Sequence, residues 1–139
     1  MSENVQTHKG ASAVNAGEFL CVLCPAGCLI EAEFTEERPP KLKSLSGNTC
    51  EKGQDWVKQE IEDPMRTIAT SLPVRGGDFR CVSLRTTRAI PREKVFDVMD
   101  EIRALGTMDA PLSIGQIVLN CPAGTDTEII VTREVNKAN

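Results

Sequence analysis

Three cysteines spaced C-x2-C-x3-C, followed after a gap of 21 residues by a fourth, constrain this chain more than any other feature: they are Cys21, Cys24, Cys28 and Cys50. Each deprotonated sulfur supplies one ligand, and four complete the shell of a soft metal centre. Three of them share one tight loop. The fourth has to be returned to that loop by the chain between, so this part must fold as a compact connection.

The residues around the cysteines supply that connection. Residues 18–22 read as a short strand entering the loop, and 29–34 (Leu-Ile-Glu-Ala-Glu-Phe) show the near-alternation of a half-buried strand leaving it. Glu36-Glu37-Arg38-Pro39-Pro40 is a charged, proline-broken turn, after which 41–45 can pair back as a third strand and deliver Cys50 to the loop. Residues 54–62 carry Val57 and Ile61 four apart among good helix formers, and Asp63-Pro64 ends the predicted helix.

Past that proline, cysteine no longer clusters and a scaffold pattern begins. Residues 67–74 and 81–86 are strand-like, with Gly76-Gly77-Asp78 as the turn between them. Residues 91–105 predict a helix, with Pro91 in its first turn, Val95, Met99 and Ile102 as an apolar stripe, and Gly106 as its stop. Residues 114–120 and 128–132 add two strands around the turn-rich stretch 121–126. The expected class is α+β: a flexible tail over 1–16, a small β-rich four-cysteine domain over 17–62, and a ββαββ scaffold domain over 63–139 that docks a partner.

Composition excludes several classes. A net charge of −4, with no basic run, argues against binding along a phosphate backbone. No apolar stretch approaches the roughly 18 residues needed to cross a bilayer, so direct membrane insertion is not expected. The start Met1-Ser2-Glu3-Asn4-Val5-Gln6 lacks the basic and apolar regions of an export signal, which predicts a cytoplasmic protein with reduced thiols. His8, the single histidine, falls in the expected tail and reads as a solvated residue rather than a ligand.

A structural zinc site usually draws ligands as two pairs from two knuckles, whereas three-plus-one resembles the local triplet that holds corners of a cubane iron–sulfur cluster. Ligation of a [4Fe–4S] cluster by Cys21, Cys24, Cys28 and Cys50 is therefore favoured, with zinc as the alternative. A dithiol redox role is a third possibility, but it would employ only two of the four thiols. Cys81, beside Val82 and Leu84, reads as a small buried apolar residue. Cys121-Pro122-Ala123-Gly124 repeats Cys24-Pro25-Ala26-Gly27 without flanking cysteines, so it reads as recurring turn chemistry.

Cys21-x2-Cys24-x3-Cys28 with Cys50-Glu51-Lys52-Gly53 resembles the N-terminal iron–sulfur segment of molybdopterin oxidoreductases, over residues 19–66. That resemblance implies a single [4Fe–4S] cluster and puts Lys52 at the cofactor, where its charge would raise the potential; the chain is too short for pterin-binding domains. Gly47-Asn48-Thr49-Cys50-Glu51-Lys52-Gly53, Ile90-Pro91, Val98-Met99, Ala110-Pro111, Gly115-Gln116-Ile117-Val118, Gly124-Thr125 and Val131-Thr132-Arg133 are similar to a small prokaryotic family of unknown function, described as CxxC motif-containing and numbered 1667. Members are often encoded beside FAD-dependent glycerol-3-phosphate dehydrogenases and a second flavin oxidoreductase, which implies a flavin-dependent dehydrogenase as redox partner. Cys81 and Cys121 match no family cysteine.

With no nucleotide fingerprint, Ser/His/Asp set or carboxylate constellation, the expected function is an accessory electron-transfer subunit without catalytic activity of its own. Closure of the centre needs the distant fourth thiolate. Cys50→Ala is thus expected to lose most bound metal and Cys121→Ala to retain it, as measured by elemental analysis of the purified proteins.

Overall fold

The computed structural model describes residues 14–139, which form two compact units divided between Asp63 and Pro64. His8 and residues 1–13 of the expected tail lie outside the described residues. Among the described residues the architecture is α+β, mostly strand with two α-helices.

In the first unit, β1 (Val14–Leu20), β2 (Leu29–Thr35) and β3 (Leu42–Ser46) form an antiparallel sheet in the order β1-β2-β3, followed by α1 (Glu51–Glu62). β1 begins four residues earlier than expected, so Ala16 and its predecessors back to Val14 belong to a strand rather than a tail. Their backbone pairs with β2 in the register Val14↔Thr35 and Ala16↔Glu33, a long-range ladder that local composition does not reveal. β2 alternates as its sequence predicts, and Ile30 and Ala32 are buried. A register shift between Glu33 and Phe34 lets Phe34 oppose Leu42.

α1 starts directly after Cys50, three residues before the periodicity becomes visible, and buries Gly53, Val57 and Ile61 as one i, i+4, i+8 stripe. That stripe meets Ile30 and Ala32, with Phe19, Phe34, Leu42, Leu45 and Trp56 packed around them. Full burial of a side chain such as Val57 contributes roughly 1.5–3 kcal/mol. This small core therefore has few members to lose.

The second unit opens with β4 (Met65–Arg66), β5 (Ala69–Arg75) and β6 (Cys81–Thr86), then β7 (Ile90–Pro91), α2 (Val95–Ala104), β8 (Met108–Asp109), β9 (Ile117–Asn120) and β10 (Glu128–Val131). Its main sheet has the order β8-β5-β6-β10-β9, and β4 pairs separately with β7. The ββαββ order holds, with short strands added around it. β8 runs parallel to β5 at the sheet edge. Val82, Leu84, Ile129 and Val131 from the sheet and Val98 and Ile102 from α2 form the core.

Several local expectations change. Pro91 pairs in β7, and a turn of 3-10 helix over Arg92–Lys94 precedes α2. The buried positions of α2 are Val98 and Ile102, while Val95 and Met99 pack at the margin. The strand expected over 114–120 is confined to Ile117–Asn120, because Gly115 N–H bonds the Val131 carbonyl and Gln116 N–H bonds Ser113 in a turn. Cys81 is exposed rather than buried: Val82, Leu84 and Thr86 take the inward face of β6, and the period of two sends Cys81 outward.

The end of β3 is fixed by Gly47, whose φ is +89° and where a methyl would stand 2.4 Å from the Leu29 carbonyl oxygen. Gly27, also at positive φ, meets nothing nearer than 3.9 Å. Gly27→Ala should cost only the backbone term, about 1–2 kcal/mol, whereas Gly47→Ala should cost about 3 kcal/mol or more because contact and strain combine. Trp56 is the single tryptophan and packs against the first unit's core, so its fluorescence during urea unfolding reports both variants.

Candidate metal centre

The loop that carries three of the cysteines is closed by a backbone hydrogen bond from Cys21 N–H to the Cys28 carbonyl, 2.9 Å long, which continues the β1–β2 ladder past its last strand pair, Leu20↔Leu29. Gly27, in the left-handed region at φ 58°, allows the chain to turn back into β2. Cys21 is buried, Cys28 is half-buried and Cys24 lies exposed at the loop tip. The β3–α1 junction brings the fourth cysteine to the same end of the unit.

Two observations link these segments. The Cys28 Sγ is hydrogen-bonded to the Thr49 hydroxyl, across 21 positions of sequence. The Cys21 Sγ lies where a methyl on Gly53 would be only 3.8 Å from it, so the sulfur reaches the first turn of the helix that Cys50 begins. A methyl on Gly53 would meet the sulfur at ordinary contact distance but would stand only 3.3 Å from Ile30 Cδ1.

Cys50 is the N-cap residue of α1, in extended conformation (φ −149°, ψ 163°), and no side chain caps the helix. The first amide groups of a 12-residue helix therefore point toward the cysteine end without an intramolecular side-chain acceptor. Open helix N-termini favour negative charge, whether on a thiolate or on an anionic group that thiolates hold. Glu51 adds an acidic residue to that turn, and Lys52 beside it is exposed. Asn48 Nδ2 donates to the Cys50 carbonyl and ties the junction to itself.

The chemistry at Cys28 follows from this arrangement. The Thr49 hydroxyl, and after it the Thr49 backbone, hold the Cys28 thiol below its ordinary value of 9.0 by stabilising the thiolate. A thiol held low in the folded state adds stability above its unfolded value, and that contribution is lost as pH falls through the folded value.

Of the predicted ligands, Cys21 and Cys28 are thus set against the segment that carries Cys50, and Cys24 belongs to their loop. Among the described residues, no three side chains of His, Cys, Asp or Glu converge as they would around one bound ion. The four thiols are soft donors of the kind such a centre uses, and the contact between Cys28 and Thr49 joins the two segments that carry them. Thr49 and Gly53 escaped identification by spacing. Their only sequence signal is membership of the Gly47–Gly53 block, because neither is itself a ligand.

Cys81 and Cys121 belong to the second unit and are exposed. Cys121 opens the 3-10 turn Pro122–Gly124, and both Cys121 (φ 45°) and Ala123 (φ 52°) adopt left-handed backbone. Ala123 N–H donates to Glu101 Oε1 from α2, 2.7 Å away. The Cys-Pro-Ala-Gly repeat is a turn here, with Gly124 in the left-handed region like Gly27.

A small α+β protein with a separate four-cysteine unit is the class that this fold and site define. The chain belongs to the family described as Protein of unknown function (DUF1667), whose model matches residues 51–133. The matched span begins immediately after Cys50 and so takes in α1 and nearly all of the second unit. The search of curated proteins found no match. Among the described residues, no helix is long and apolar enough to cross a membrane.

In reduced, metal-free protein, alkylation of Cys28 should show a midpoint below that of an ordinary free cysteine. Thr49→Val should move that midpoint upward. Peptide mapping of alkylation against pH checks both, and an unchanged midpoint would contradict the role given to the hydroxyl.

Proposed function

We propose that this protein is a small iron–sulfur electron-transfer subunit in which Cys21, Cys24, Cys28 and Cys50 each ligate one iron of a [4Fe–4S] cluster. The observation that carries the reading is the contact of Cys28, on the β1–β2 loop, with Thr49, the residue before Cys50, which brings the two thiol-bearing segments together at an uncapped helix N-terminus. Bound there, the cluster would supply one-electron transfer, which requires no acid–base residue from the chain.

The chain's own residues have distinct tasks in this reading. The β1–β2 connection presents three thiolates, and Gly47 lets the β3–α1 junction come close enough to present the fourth. The first-turn amides of α1 and the charge of Lys52 offset the negative charge that accumulates on reduction, which favours the reduced state. Ile30, Ala32 and Val57 exclude water from the inner side, while exposed Cys24 and its neighbours leave the outer side open to a partner. Binding would draw the loop thiols inward, coupling local order to metal loading.

The partner is a flavin-dependent dehydrogenase, of the kind exemplified by FAD-dependent glycerol-3-phosphate dehydrogenases, with which the cluster exchanges electrons. The three-plus-one spacing of the four cysteines supports the choice of a cluster over zinc. A cytoplasmic accessory subunit of an oxidoreductase, docking through the second unit, is the resulting role.

Anaerobic purification followed by iron, sulfide and zinc analysis and visible absorption tests this reading. A brown protein with about four irons and four sulfides per chain is expected. A colourless protein with one zinc per chain would replace the relay with a zinc-stabilised interaction module held by the same four cysteines.

A further inference from the structure

We propose that the outer face of the β1-β2-β3 sheet, with the loop that joins β1 to β2, is a docking surface for a partner protein whose contact segment is a helix carrying aliphatic side chains beside Lys or Arg. The surface belongs to the first unit, whereas the docking above is assigned to the second, and it does not depend on what the thiols hold.

The pleat makes this face. The period of two in β2 sends Ile30 and Ala32 inward to the core that α1 covers, and Leu29, Glu31 and Glu33 outward. Register extends the outer row into both neighbours: Leu20 opposes Leu29, Glu18 opposes Glu31 and Ser44 opposes Glu33. Leu20, Val22, Leu23 and Leu29 each leave more than half of their surface exposed, so four large aliphatic side chains gather at one end of the unit. Leu20 Cδ1 reaches to 3.9 Å from where a methyl on Gly27 would stand, which joins the strand leucines to the loop. Beside them lies a trough of about 620 Å³, walled by Glu18, Glu31 and Glu33 and kept open by the small side chains of Ala16, Ser44 and Ser46.

The charges on this face work against the isolated sheet. Glu18 and Glu31 stand directly opposite one another, a like-charge pair that destabilises the strand pairing. Among the described residues none of the three glutamates forms an ion pair, and Glu33 has only the Ser44 hydroxyl, which donates to it at 2.8 Å. Among the described residues, no Lys or Arg lines the trough. Apolar patches rimmed by polar groups mark contact surfaces, and this rim carries one sign of charge. A partner with apolar side chains flanked by cations supplies the missing counter-charge as it covers the leucines. The three strands span about 10 Å, close to the diameter of one helix, and the inner face of the same sheet already takes one in α1. A bilayer is disfavoured because its anionic headgroups would face the carboxylates. A second copy on the same face would set carboxylates against carboxylates.

The test titrates the reduced full chain with a fluorescent synthetic helix of leucine and lysine, and with the same helix carrying glutamate for lysine, followed by anisotropy. Wild type should bind the leucine–lysine helix alone, and more weakly as salt screens the carboxylates. Val22→Thr/Leu23→Gln and Glu18→Gln/Glu31→Gln should each weaken binding about tenfold. The glutamine pair should also raise the urea midpoint reported by Trp56, since it removes the opposed charges.

Equal binding of the two helices, binding unchanged in either double variant, or a urea midpoint lowered by the glutamine pair would overturn the proposal. So would a wild-type dimer in sedimentation that Val22→Thr/Leu23→Gln makes monomeric, for the occupant would then be a second copy. Flotation of wild type with phosphatidylcholine vesicles, lost in that variant, would overturn it in favour of a bilayer. If a double variant shows no Trp56 unfolding transition, the single changes Val22→Thr and Glu31→Gln decide by the same binding measurement. No readout here depends on metal content, so failure of this proposal and failure of the iron–sulfur reading are separate results.

Discussion

The close passage of Gly47 over the Leu29 carbonyl governs the geometry of the cysteine unit. A methyl at residue 47 would be 2.4 Å from that oxygen, and the backbone there has φ +89°. Only a residue without Cβ meets both conditions easily. Because the chain crosses the end of β2 at this point, Thr49 comes to Cys28 and α1 begins at Cys50. The cysteine spacing would have no consequence if the third strand ended elsewhere.

Packing and electrostatics reinforce one another at this end. The buried stripe Gly53, Val57 and Ile61 seats α1 on Ile30 and Ala32, which fixes the direction in which the helix N-terminus points. The missing side chain of Gly53 lets Ile30 approach closely, since a methyl there would stand 3.3 Å from Ile30 Cδ1. Apolar burial thus orients an amide-rich helix end toward the thiols. The second unit has an independent core built from β5, β6, β10 and α2, and the family match concentrates on this unit together with α1.

Legibility in the sequence depended on how local each signal was. β2 and β6 were readable because alternation follows directly from the pleat, and α1 and α2 because their apolar residues recur at helical spacing. The start of β1 is not legible in the sequence, since Asn15 and Ala16 do not favour a strand and extend because β2 is there to pair with them. The exposure of Cys81 is hidden for a related reason. Residue type favoured burial, but the parity of β6 assigned the inward face to Val82 and Leu84.

At the candidate centre the same division applies. Legible in the residues alone are four thiols in a three-plus-one order, a helix over 54–62 after the fourth, and an α+β pattern divided near Asp63-Pro64; that the helix starts directly after Cys50 is seen only in the fold. Which other residues lie beside the sulfurs, Thr49 at Cys28 and Gly53 near Cys21, is set by packing between segments. The physical reason is that ligand spacing is a property of one segment. A contact across 21 residues depends on strand register, on the crossing at Gly47 and on the seating of a helix, which exist only when the segments pack together.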